Sequence, residues 1–376
     1  LATSVQYWLD RMATTPTPIV EKMTLFWHGN LASSTDAALP RLLFRQIRTY
    51  RSLALGDVHD LLQAMAIDPA MLLYLNNATN VAAEPNENFA RELMELFTLG
   101  NGAFTEADVV GMARAWTGYN YDRPSEQFVY RPNKHDGGPK AIFGITRDWT
   151  GPQALTEIVR GSRQATCARY LAGKVWAFFA HPGPSPALVD DLATAFIGSG
   201  MEVRSLLRAV FLRPEFRLAT TRTALVRSPI EWMVAAMRAL RMDASTLHPE
   251  WWLEPMGQAP YQPPNVSGWK QNAAWISTSA QWTKGSFAGW ARWKAEDAGI
   301  KVVGYTQVLT NVDSQLLVDA YNTGWANGAR ARRRKIDNAS ATSSTTRHRR
   351  SGEPGIAIAR SSYRVERGIK AEPRRG

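Results

Sequence analysis

Apolar side chains recur at every third or fourth position through most of the first 300 residues, the spacing that lines one face of an α-helix. The pattern predicts helices over residues 39–50, 58–67, 88–99, 107–117, 155–159, 169–179, 187–197, 203–212 and 229–240. Several starts are marked by capping chemistry, as in Asp68-Pro69, Thr105-Glu106-Ala107-Asp108 and Ser228-Pro229-Ile230-Glu231. No convincing run of alternating strands competes with this reading. The expected fold class is therefore all-α: a mainly helical, multi-helix globular body with long irregular loops and one small β-hairpin. The loops are residues 118–151 and 248–277, both rich in Gly, Pro, Asn and aromatic residues, and the hairpin is expected over Tyr119–Tyr130. Val5, Trp8, Leu9 and Met12 keep helical spacing from the outset, so the chain is expected to begin inside a folded region with an upstream segment before it.

Charge divides the chain. The net charge of +11 suggests a nucleic-acid ligand, but residues 330–376 hold 14 Lys/Arg against 4 Asp/Glu. The other 30 basic and 29 acidic groups nearly cancel, which argues against nucleic acid as a partner of the body. Residues 1–329 are thus expected to be the helical body. Residues 330–376, which lack Leu, Phe, Met and Trp, are expected to be a basic, low-complexity disordered tail. Its Arg332-Arg333-Arg334-Lys335 and Arg347-His348-Arg349-Arg350 clusters fit a solvated tail, a phosphate-binding or targeting patch, or a terminus that selection has not shaped. The longest apolar run, Val175–Ala180, is far short of the roughly 20 residues of a membrane-spanning helix, so no transmembrane segment is expected. The single cysteine, Cys167, excludes an internal disulfide and reads as a small buried helical side chain.

Several phrases together resemble a bacterial family, Domain of Unknown Function 1800. They are Met23-Thr24-Leu25-Phe26-Trp27-His28-Gly29-Asn30, the run Pro85-Asn86-Glu87-Asn88-Phe89-Ala90-Arg91-Glu92-Leu93-Met94-Glu95-Leu96-Phe97-Thr98-Leu99-Gly100, and Ala113-Arg114-Ala115-Trp116-Thr117-Gly118-Tyr119. Further on come His135-Asp136-Gly137-Gly138-Pro139-Lys140, Phe143-Gly144, Met256-Gly257-Gln258 and Pro263-Pro264-Asn265-Val266-Ser267-Gly268-Trp269, so that the likeness covers residues 15–295 in order. The resemblance implies export to the periplasm or beyond, and a partner from a second uncharacterised family, number 1501, whose members tend to be encoded alongside. Leu31 and Phe97 stand where the family more often carries His, which removes two donors from any metal site.

Four places could carry chemistry. On a wheel turning about 100° per residue, Glu92 and Glu95 share one flank of the helix at 88–99, bordering its apolar arc. A carboxylate pair at this spacing serves metal ligation or acid/base work, and equally decorates a solvated helix beside Arg91 or Arg114. His135 and Asp136 sit together in the first long loop, where imidazole and carboxylate suit a general base or a metal ligand, or form a structural turn. His28 follows Phe26-Trp27 at a helix end, as a ligand or as a buried hydrogen-bonded histidine. Last, Trp251, Trp252, Trp269, Trp275, Trp282, Trp290 and Trp293, half of the fourteen tryptophans, fall within one short region. They could form a stacking platform for a glycan or other polymer, or a core beneath the second loop.

Two functions follow. One is an exported helical scaffold that binds a partner protein or polymer. The other is a metal- or acid/base-dependent, hydrolase-like enzyme with Glu92, His135 and Asp136 catalytic and His28, Glu92, Glu95 and His135 ligating a divalent metal, aided by Asn86 and Lys140. Signatures of phosphate-cradling loops, nucleophile elbows, His-Glu-x-x-His and paired Cys-x-x-Cys are absent.

Overall fold

The computed structural model describes residues 1–299, which belong to one compact unit. The basic segment 330–376 lies outside the described residues. Sixteen α-helices are found among them. The first five are α1 Ala2–Thr14, α2 Pro18–Asn30, α3 Pro40–Leu53, α4 Val58–Ala66 and α5 Pro69–Tyr74. Helices α6 Asn88–Glu92 and α7 Glu106–Ala115 precede the first long loop, and α8 Gly151–Arg160, α9 Gln164–Phe179, α10 Pro186–Gly198 and α11 Val203–Leu212 follow it. The remainder are α12 Ala219–Arg222, α13 Pro229–Leu240, α14 Ala244–Leu247, α15 Glu250–Leu253 and α16 Thr278–Asp297. None of them is long and apolar enough to cross a membrane.

Capping sets the helix starts where the sequence signals them. Thr105 with Asp108 and Ser228 with Glu231 form reciprocal capping boxes, and Asp68 accepts from the amides of Ala70 and Met71. Burial follows the helical period. In α3 the buried positions are Leu42, Leu43, Gln46, Ile47 and Tyr50. Helix α1 packs against α2 and against α13, α14 and α15, so the two ends of the described chain share one core. Trp8, Trp27, Trp116, Trp149, Trp176 and Trp232 are fully buried in it.

The first long loop contains two hairpins rather than one. Strand β1 Tyr119–Asp122 pairs antiparallel with β2 Gln127–Tyr130, with Tyr119 opposite Tyr130, as the sequence suggests. The second hairpin joins β3 Lys140–Ile142 to β4 Ile145–Arg147 through Phe143 and Gly144. Both turn residues have positive φ, 53° and 80°, as a two-residue type I′ turn requires. Phe143 is an unusual residue for that conformation, and the turn is held from outside: its N–H donates to Asp108 Oδ1 at 2.6 Å, and the Arg163 guanidinium lies 4.8 Å from its ring centre.

Candidate functional site

Helix α6 does not run on as an α-helix to Leu99. After Glu92 the chain widens into a π-helical segment, Leu93–Thr98, and the N–H groups of both Leu99 and Gly100 turn back to the Met94 carbonyl. The wider turn rotates residues after Leu93 away from the positions that a 100° wheel assigns them. Such segments are frequent at functional sites because they displace side chains and free carbonyls.

The Leu96 carbonyl is one that is freed. It accepts from Tyr170 Oη at 2.8 Å and from Lys174 Nζ at 2.7 Å, both on α9. Lys174 also donates to Asn30 Oδ1 at the end of α2, at 2.6 Å, and its ammonium lies 4.6 Å from the Tyr170 ring centre. Three elements far apart in sequence therefore converge on one amine. Its bonded partners are a carbonyl and an amide oxygen, with no carboxylate among them, and burial lowers its pKa to about 8.

Carboxylates stand close by. Burial first, and then the charges of Glu95 and Glu92, raise the Tyr170 hydroxyl to about 12. Glu92 is itself raised, first by burial and then by Glu95, against a lowering from Arg91. Tyr74, raised by burial, also feels Asp36 and Glu92. The charge of Glu92 thus acts on a tyrosine of α5 and one of α9, and that of Glu95 acts on Glu92.

His135 and Asp136 form a second group. Nδ1 of His135 donates to the Thr117 carbonyl at 2.9 Å, the tautomer that carbonyl requires, which leaves Nε2 as the acceptor nitrogen. Its ring packs against Tyr119 and Tyr130. Asp136 accepts from Arg114 Nε at 2.6 Å and from the Gly138 amide at 2.9 Å. Arg114 above all holds this carboxyl below its usual range. Lys140, buried, donates to the Gly138 carbonyl at 2.8 Å. Beneath the loop, Asn80 donates to the Asn77 Oδ1 and the Ala113 carbonyl and accepts from the Asn86 amide, so Asn86 serves the backbone framework.

His28 lies in a third place. It is fully buried, with its ring 5.5 Å from that of Trp8, 5.8 Å from Tyr261 and 5.2 Å from Trp269. Nε2 accepts the Tyr261 N–H at 3.0 Å, and burial lowers its pKa to about 3. The lone pair of Nε2 is therefore already engaged. Glu92 is brought beside Glu95, and His135 beside Asp136, but His28, Glu92, Glu95 and His135 do not gather as a ligand set. Among the described residues no group of three or more His, Cys, Asp or Glu side chains is placed to hold a metal ion.

The model of one family, described as Protein of unknown function (DUF1800), matches residues 1–362. The chain belongs to the DUF1800 family. No curated protein and no solved structure matches it.

In this DUF1800 protein the late tryptophans divide three ways. Trp269 and Trp275 are buried, and Trp252 and Trp290 pack around Phe287. Trp251, Trp282 and Trp293 are 61%, 63% and 56% exposed. Sequence reasoning singles out the DUF1800 protein's Glu92 and Glu95 but misses Lys174, Tyr170 and Asn30. One signal was available: Lys174 is a lone charge in Leu171-Ala172-Gly173-Lys174-Val175-Trp176, a stretch otherwise apolar or small on a helix buried along one side.

Proposed function

We propose that the protein is an acid/base enzyme of the hydrolase type whose proton-transferring groups are Lys174 and Glu92. The observation that carries this reading is a part-buried amine, held by Asn30 and the freed Leu96 carbonyl and packed on Tyr170, whose hydroxyl feels the charges of Glu95 and Glu92. A general base works best with a pKa near the operating pH, and an amine at about 8 retains a neutral fraction on the order of one in ten at pH 7. Glu92, with its proton affinity raised, complements it as the acid. In this scheme Lys174 Nζ takes the proton of the attacking nucleophile and Glu92 returns one to the leaving group. Glu95 maintains the proton on Glu92, and Asn30 and Tyr170 orient the amine. His135 and Asp136 belong to a supporting loop, because Asp136 is already neutralised by Arg114.

The test is hydrolysis of chromogenic ester, peptide, phosphoester and glycoside substrates by the full chain, Lys174→Met and Glu92→Gln. Turnover of one class, with a pH limb near 8 that is lost in Lys174→Met, supports the reading. Turnover of none, or equal turnover by Lys174→Met, removes it.

A binding role for the exposed indoles has its own support. Trp282 and Trp293 are eleven residues apart on α16, hence on one face and about 16 Å apart along the axis. Trp251 stacks on His248 with ring centres 4.0 Å apart. Such surfaces suit the flat faces of sugar rings or an extended polymer. Export and a partner of family 1501 rest on the family resemblance and belong to this second reading. Retardation in gels containing soluble polysaccharide, abolished in Trp282→Ala/Trp293→Ala, supports it; unretarded migration in every polymer removes it.

A further inference from the structure

Helices α2 and α13, with Met12 of α1, enclose a cleft of about 260 Å³, apart from the Lys174 cluster. Lys22 and Asn30, at opposite ends of α2, are separated by about 12 Å of helix rise. The cleft's lining repeats the helical period: residues 18, 21, 22 and 25 of α2 face residues 230, 231, 234, 235 and 238 of α13. Its apolar surface comes from Leu25, Ile230 and Val234, and its cations are Lys22, Arg227 and Arg238.

The two carboxylates in the lining are already committed. Glu21 accepts from Trp8 Nε1 at 3.0 Å, from Arg11 Nε at 2.6 Å and from Arg51 Nε at 2.6 Å, so two guanidiniums oppose one buried charge. Glu231 pairs with Lys22 through Oε1, and its Oε2 accepts the Ser228 N–H at 3.0 Å. The positive charges at the cleft outnumber the negative ones. Arg227 lies close enough to Lys22 to oppose its protonation, and Arg238 is exposed with no ion pair among the described residues. A cavity with an apolar lining and surplus cations selects a ligand with an apolar body and one anionic end. Its volume, just under the roughly 300 Å³ at which drug-sized sites begin, limits that body to a short chain or a single ring.

We propose that this cleft is a binding site for a small amphipathic carboxylate, its apolar part against Leu25, Ile230 and Val234 and its carboxylate paired with Arg238. A carboxylate fits the planar guanidinium fork better than a spherical anion does. The proposal is independent of the acid/base reading, since none of its residues takes part in that scheme.

Calorimetric titration of the full chain with octanoate, octan-1-ol and octylamine tests it. The expected result is a single saturable octanoate site, with octanol several-fold weaker and octylamine weaker still. Arg238→Gln, an exposed change that leaves the apolar lining intact, should weaken octanoate about three- to fivefold while leaving octanol unchanged. Val234→Phe, which fills the cleft, should abolish binding of both; should that variant not fold, Arg238→Gln alone decides. Absence of saturable octanoate binding, octylamine binding as tightly as octanoate, or octanoate affinity unchanged in Arg238→Gln overturns the proposal.

Discussion

The backbone N–H of Tyr261 donates to Nε2 of His28 at 3.0 Å, joining residues 233 positions apart. This bond ties the second long loop to the end of α2, and Trp8 and Trp269 enclose the imidazole on its other sides. His28 is therefore a structural acceptor, and its titration is coupled to folding.

The unfolded chain protonates His28 near pH 6.5, whereas the folded protein resists protonation down to about 3. The unfolded state gains the proton first, so stability is complete above pH 6.5 and falls as the pH drops through that window. In His28→Gln, which can still accept the Tyr261 amide but does not titrate, the fall between pH 6.5 and pH 4 should be shallower. Urea midpoints at pH 7, 5 and 4 measure it. Parallel pH dependences in the two proteins would contradict the coupling.

The same junction depends on Gly268. Its φ is +74°, and a Cβ there would lie 2.0 Å from the Gly29 carbonyl oxygen, a backbone atom with no freedom to move aside. Gly268→Ala should cost about 2–4 kcal/mol. Gly183, with φ +70° and open space around a Cβ, should cost only about 1 kcal/mol in the same substitution. Denaturant unfolding of both variants checks the contrast, and equal losses would mean that backbone conformation alone, rather than the contact with α2, sets the cost.

Lys174 acts in the same direction as His28, in a higher pH window. Its folded pKa is about 8 against 10.5 unfolded, so between these values the unfolded chain binds a proton that the folded protein releases. The cost of burying the ammonium is full below pH 8 and is relieved as the pH rises to 10.5. Relative to wild type, Lys174→Met should therefore be most favourable near neutral pH, and that advantage should shrink by about 3 kcal/mol by pH 10.5. Urea unfolding of both proteins at pH 7.5, 9 and 10.5 reads the change, and a difference independent of pH would place the amine in water.

Cys167 is fully buried, and its thiol is pushed up to about 12. The thiolate needed for alkylation is therefore scarce and out of reach in the native protein. Iodoacetamide at pH 8 should leave the folded chain unmodified over an hour and label it stoichiometrically in 6 M urea, as mass spectrometry would show. Rapid native labelling would mean that α9 opens readily.

The helical architecture was legible because its signals are local. The buried face of α3 and the caps at Thr105 and Ser228 depend on neighbours within a few residues, and α11 and α13 have their expected bounds. The Tyr119–Tyr130 hairpin was legible for the same reason. Its companion was not, because a Phe-Gly turn violates ordinary turn preferences and is stabilised by Asp108 on α7 and Arg163 just before α9. The carboxylate pair on α6 and the π segment could be named, but the wheel that placed it assumed an α-helix through Leu99.

What the sequence by itself determined was the helical class, most of the elements and the family. Tertiary structure alone decided which polar groups are chemically poised. Lys174 acquires its depressed pKa from burial beside Asn30 and Leu96, which lie 144 and 78 residues away. His28 is committed to a backbone amide supplied from the second loop, and Asp136 to Arg114 on α7. Periodicity and capping act over one or two helical turns, whereas desolvation and charge pairing depend on which distant segments the packed core places in contact.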